Sequence, residues 1–76
     1  MNKKTIHIPE PVTIIDKSVF EECKGLESIY IYGKLERKFE KREMFGAMNS
    51  TPTIYVPESE VEYIKTLYNG TVLPLE

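Results

Sequence analysis

Three short stretches of this chain repeat one pattern: Ile6-His7-Ile8-Pro9, Ile29-Tyr30-Ile31-Tyr32 and Ile54-Tyr55-Val56-Pro57. They begin 23 and then 25 residues apart, a period typical of solenoid repeats. Each copy alternates an aliphatic residue with a ring or polar residue, the period of a strand buried on one face, and β-branched residues hold the aliphatic places. A second landmark recurs in the same order, because nine residues separate Phe20 from Ile29 and nine separate Phe45 from Ile54. The chain is therefore expected to be a short stack of coils. Such a stack exposes a ladder of equivalent side chains, here His7, Tyr30 and Tyr55, and ladders of this kind usually bind other molecules rather than transform them.

The first coil can be read residue by residue. Pro9 and Pro11 keep the chain extended after the strand, Val12, Ile14 and Ile15 offer apolar faces, and Asp16 suits the N-cap of a short helical turn running to Cys23. Gly25 permits the reversal toward the next strand. Phe20, Cys23 and Leu26 are spaced three apart and form one inward stripe, all assigned to the core. Upstream the register of 23 pairs Val12 with Leu35, whereas Phe20 pairs with Phe45 at 25, so about two extra residues lie between Tyr32 and Met44.

The run from Ile8 to Ile29, with Ile8-Pro9, Val12-Thr13, Ile15, Phe20, Cys23, Leu26 and Ile29, resembles the BspA-type (Treponema-like) leucine-rich repeat. That family's pattern is roughly I-P-x-x-V-T-x-I-x-x-x-A-F-x-x-C-x-x-L-x-x-I-x-I-P, and Val19 stands where Ala is usual. The second coil keeps Phe45 but has Met48 and Thr51 in place of the Cys and Leu, and the likeness is weak between Tyr32 and Glu43. The resemblance implies an α/β solenoid: a truncated, right-handed leucine-rich-repeat coil with about three short parallel strands and a C-terminal capping helix. Residues 1–76 are then one domain, with coils at about 6–28 and 29–53 and a cap at 54–76. Arrays of this family often close with a strand and Pro, a short amphipathic helix and a last apolar strand.

The cap is also legible from the residues. Ser59 followed by Glu62 reads as a capping box, Val61, Ile64 and Leu67 or Tyr68 form an apolar stripe, and Asn69-Gly70 reads as a left-handed helix stop. Residues 71–75 read as a short closing strand. No comparable cap precedes Ile6, so the amino-terminal edge is expected to be shielded by Lys3 and Lys4 or covered by another subunit, giving a homo-oligomer. Residues 34–43 carry eight charges in ten positions. They read as a solvated connection or, if helical, as three faces: apolar Leu35 and Phe39, acidic Glu36, Glu40 and Glu43, and basic Lys34, Arg37, Lys38 and Lys41.

Composition narrows the function classes. At 76 residues the chain is one small domain with a marginal core. A net charge of −2 argues against a general nucleic-acid binder, and no apolar run approaches the roughly 20 residues of a membrane span. Lys3 and Lys4 carry the charge of a signal-peptide n-region, but residues 5–9 cannot serve as its apolar segment. A cytoplasmic location is expected for the chain as written, and the cell surface if it is a fragment of a longer protein. The single cysteine forms no internal disulfide. One His and one Cys, with His7 turned outward and Cys23 turned into a coil, supply neither a nucleophile pair nor a zinc site. There is no Gly-rich phosphate loop, and the Asn69-Gly70-Thr71 sequon reads as a chance match. No cofactor, metal or enzymatic activity is expected.

What remains is a surface. Alternation sends Ile6, Ile8, Ile29, Ile31, Ile54 and Val56 inward and leaves His7, Tyr30 and Tyr55 in one outward row, with Tyr32 near its end. Tyrosine is enriched at interface hot spots, although stacked rings also stabilise neighbouring strands in their own right. The chain reads as a protein-protein interaction module using His7, Tyr30, Tyr32 and Tyr55, with Lys38 and Lys41 contributing from the charged segment. The alternatives are a phage or mobile-element inhibitor or adaptor that blocks a host protein, and a structural cap fragment of a longer cell-surface repeat protein.

Overall fold

A computed structural model of the chain describes residues 4–15, 18–21, 23, 25–37, 45, 48 and 50–75. In chain order the elements are β1 (Thr5–Ile8), α1 (Ser18–Glu21), β2 (Ser28–Ile31), β3 (Thr53–Val56), a 3-10 turn (Glu58–Glu60), α2 (Val61–Leu67) and β4 (Val72–Pro74). The strands form one parallel sheet in the order β1-β2-β3-β4, so the protein is a small α/β fold with four strands rather than about three. The fourth is the closing strand expected at residues 71–75, which α2 returns to the sheet in the same direction as its neighbours.

The sequence spacing is the ladder register. Ile6 lies opposite Ile29 and His7 opposite Tyr30; Ile29 lies opposite Ile54 and Tyr30 opposite Tyr55; Ile54 lies opposite Val72 and Tyr55 opposite Leu73. Pairing runs on past the strand ends, where Tyr32 N–H donates to the Ile8 carbonyl at 3.1 Å and Glu36 N–H to the Thr13 carbonyl at 2.9 Å. The second of these bonds lies beside the Val12 and Leu35 positions that the register of 23 matches.

The inward row is closed where strands flank it on both sides: Ile29, Ile31, Ile54 and Val56 are wholly buried. Ile8 is also buried, whereas Ile6, on the edge strand, is partly buried and packs against the core. Across from the sheet Phe20 stacks on Phe45 with ring centroids 5.6 Å apart, and Phe45 meets Tyr68 in a tilted contact at 5.6 Å. This row packs into one core with the inward residues of the sheet. Phe20 and Leu26 are buried, and Cys23 and Met48, partly covered, pack against this core. Of the three apolar residues after Pro11, Ile15 is buried, Val12 is partly buried and Ile14 is half exposed.

Two glycines are required by geometry. Gly25 has φ 71°, a left-handed conformation costly for residues with a Cβ, and it makes the turn between α1 and β2. Gly33 is buried with its α-carbon against the backbone of Glu10, where a Cβ would collide with the Glu10 carbonyl. The turn after β2 thus crosses closely over the turn after β1.

The cap differs from the sequence expectation at both ends of its helix. Ser59 is exposed within the 3-10 turn, α2 begins after Glu60, and neither start has a side-chain cap hydrogen bond, so the Ser59/Glu62 capping box does not form. The chain instead tightens after Pro57, with Glu60 N–H donating to the Pro57 carbonyl at 2.8 Å. Nor is Gly70 a left-handed stop, because Gly25 alone has positive φ among the described residues. The helix ends in an extended Tyr68 (φ −140°, ψ 133°), which buries its ring and donates its hydroxyl to the Pro52 carbonyl at 2.5 Å. The apolar stripe itself is as expected: Ile64, Leu67 and Tyr68 are buried and Val61 packs against them partly covered. Asp16, Phe39, Lys38 and Lys41 lie outside the described residues.

Candidate interaction surface

On the sheet face opposite the core, alternation sets one ring per strand at a common level. His7 and Tyr30 stack with centroids 4.9 Å apart and planes 12° from parallel, and Tyr30 and Tyr55 stack at 4.6 Å and 9°. Tyr32, two residues after Tyr30 on the same face, lies 5.8 Å from His7 and 6.4 Å from Tyr30. His7 Nδ1 and the Tyr32 hydroxyl are hydrogen-bonded at 2.7 Å. The four ring residues assigned from the sequence therefore form one cluster. Tyr30 and Tyr55 are half-buried by their neighbours, while His7 and Tyr32 are exposed.

Stacking decides what this surface can do. Because the rings lie face to face across the strands, their faces cover each other and their edges and polar tips point away from the sheet. It is a ribbed strip of ring edges rather than a flat platform, and it suits contact with another protein's side chains and carbonyls better than parallel stacking of a base or a sugar. Sequence reading missed one rung. Leu73 lies opposite Tyr55 and is 42% exposed, adding an aliphatic end to the strip. Its signal is the alternation of buried Val72 with exposed Leu73; the spacing concealed it, since β4 follows β3 by 18 residues rather than 23 or 25.

A second polar cluster lies beside the cap. The Glu60 carboxylate, only 3% exposed, accepts two hydrogen bonds of 2.7 Å from the Arg37 guanidinium. Arg37 also donates to the Leu35 carbonyl at 3.2 Å and lies 4.0 Å over the Tyr63 ring, and the Tyr63 hydroxyl donates to the Glu36 carbonyl at 2.8 Å. The Arg37 hydrogen bonds hold the Glu60 carboxyl below its usual range against the opposing effect of burial, and they raise the Arg37 guanidinium in turn. Of the two readings of residues 34–43, the helical one set Arg37 on a free basic face; Arg37 instead lies in a turn and is committed to a bidentate pair that ties the segment after β2 to the cap. Opposite charges are too common in this chain for that partnership to be read from sequence.

Among the described residues no three His, Cys, Asp or Glu side chains gather closely enough to hold a metal ion. No described helix is long and apolar enough to cross a membrane. No family model, curated protein or solved structure matches the chain.

Proposed function

We propose that this chain is a non-enzymatic protein-interaction module, a short leucine-rich-repeat-type coil whose outer strip of His7, Tyr30, Tyr32 and Tyr55 contacts a partner protein. The observation carrying this reading is the strip itself. Three ring residues, His7, Tyr30 and Tyr55, are held at one level by the parallel register, and Tyr32, stacked against His7 and 41% exposed, extends the row. Rings fixed by stacking lose little further freedom on binding, which is why rigid aromatics make effective hot spots. The repeat pattern supports the coil assignment, and a coil of this kind is a scaffold whose function depends on the residues displayed on it.

The experiment is affinity capture from the source cell followed by mass spectrometry, repeated with Tyr30→Ala and Tyr55→Ala. Each substitution is expected to weaken the complex by about 2 kcal/mol, whereas Lys65→Ala on the exposed side of α2 leaves it unchanged. A captured partner whose affinity ignores both tyrosines would place the interface elsewhere.

A further inference from the structure

Among the described residues the sheet ends at β1 on one side and β4 on the other, and the two edges offer different backbone groups. Ser28 N–H donates to the Lys4 carbonyl and Tyr32 N–H to the Ile8 carbonyl. By the alternation of a parallel pair, Lys4, Ile6 and Ile8 turn their backbone toward β2, and Thr5 and His7 turn both N–H and C=O to the open side. Pro9 bounds this window, having no N–H, while its carbonyl accepts from Val12 N–H at 3.1 Å. On the opposite edge Ile54 N–H donates to the Thr71 carbonyl and Leu75 N–H to the Val56 carbonyl. Val72 and Pro74 are therefore the outward residues there, and Pro74 has no donor to give.

We propose that the β1 edge is completed by a second copy of this chain, paired antiparallel about a two-fold axis passing beside Ile6. In that register Thr5 of each copy lies opposite His7 of the other, and each such pair exchanges two backbone hydrogen bonds. The two Ile6 residues meet on the core side as the narrow, non-hydrogen-bonded pair. This covers the inward residue that β1 leaves partly buried, while its neighbour Ile29 is already wholly buried. A two-fold register centred on His7 would instead set Thr5 against Pro9 and forfeit the outer bonds. Continuation of the sheet from the β4 of one copy to the β1 of the next would place His7 opposite Leu73 and lose the bond that Pro74 cannot donate. The contact is isologous, so it closes at a dimer with one eight-stranded sheet and does not propagate into a fibre. It uses backbone groups and Ile6, and does not depend on the binding role of the ring strip.

The test combines light scattering, hydrogen exchange and directed cross-linking on the full chain. At micromolar concentration the protein should scatter as a dimer, with the Thr5 and His7 amides protected and that protection lost on dilution. In a Cys23→Ser background, Ile6→Cys places its thiols across the axis at about 4.5 Å between α-carbons. Mild oxidation should link these chains at least about tenfold faster than those of Thr5→Cys, whose α-carbons are about 8 Å apart, beyond disulfide reach. Tyr30→Ala and Tyr55→Ala should leave the dimer intact. A monomer at all concentrations, growth into filaments, equal cross-linking at both positions, or protection that appears only with a different protein would each overturn the proposal.

Discussion

Phe20 has no exposed surface and its ring stacks on Phe45, so it joins the segment before β2 to the segment before β3. Truncation to Ala removes that contact and leaves a cavity in a small core, and Phe20→Ala should cost about 3–5 kcal/mol. This is a large share of the stability of any domain this size, and a thermal melt should show a lost or strongly lowered transition. Arg37 and Glu60 behave asymmetrically. Removing Arg37, which is 43% exposed, strands a carboxylate that is 3% exposed, whereas Glu60→Gln frees a guanidinium that water can reach. Arg37→Ala should therefore cost about 2 kcal/mol and Glu60→Gln about 1, both discounted for the exposure of Arg37. The pair also sets a pH dependence. The carboxyl of Glu60 is lowered in the folded chain by its bonds to Arg37, so its contribution is complete above the ordinary carboxylate range and is lost as pH falls through the lowered folded value. Melts at decreasing pH should show the advantage of the wild type over Glu60→Gln shrinking toward zero on the acid side.

At the scale of elements, α2 is held by its buried stripe rather than by its start. Ser59→Ala should change stability by no more than about 0.5 kcal/mol, while Ile64→Ala, at a wholly buried position, should cost about 2–5 kcal/mol. Urea titration of the two variants gives the comparison, and a larger loss at Ser59 would mean that its hydroxyl caps the helix after all. The contrast shows which features of the fold were legible in the sequence. Strands β1 to β3 and their pairing could be read because one period of two and one spacing of 23 to 25 residues determine both faces and register together. Ser59 misled because a capping box is a local signal. The chain around it is set by contacts from far away, namely Arg37 holding Glu60 and Pro52 accepting from the Tyr68 hydroxyl. Gly25 was legible because its turn needs a conformation that glycine supplies, whereas the contact of Gly33 with Glu10 brings together turns 23 residues apart that no local pattern records. The ring strip was legible as far as its strands were, and Leu73 escaped because the connection through α2 breaks the period.

For the molecule as a whole, the last strand decides whether a sheet this small holds together. Each strand of the sheet pairs only with its neighbours in the order β1-β2-β3-β4, so few interfaces hold the molecule together. Here the terminal interface is reinforced. β4 covers the edge of β3 through the Ile54–Val72 and Val56–Pro74 pairings. Tyr68 packs on Phe45, and the Arg37–Glu60 pair with the Tyr63–Glu36 bond binds the cap back to the segment after β2. The C-terminal segment is therefore bonded to β3, to Phe45 and to the segment after β2 at several separate points and should unfold with them in one step. Removing residues 69–76 uncovers β3, takes away buried Val72 and opens the space beside Tyr68, so the truncated chain should lose its cooperative melt rather than fray at one end. Hydrogen exchange on the intact chain provides the complementary reading: the amides of Ile54 and Thr53, bonded to Thr71 and Glu27, should exchange together at the slowest rate, as expected where opening requires global unfolding. If the truncated chain kept a sharp melt, or if Ile54 exchanged well before Thr53, the C-terminal segment would be an independent appendage and the other three strands would hold without it.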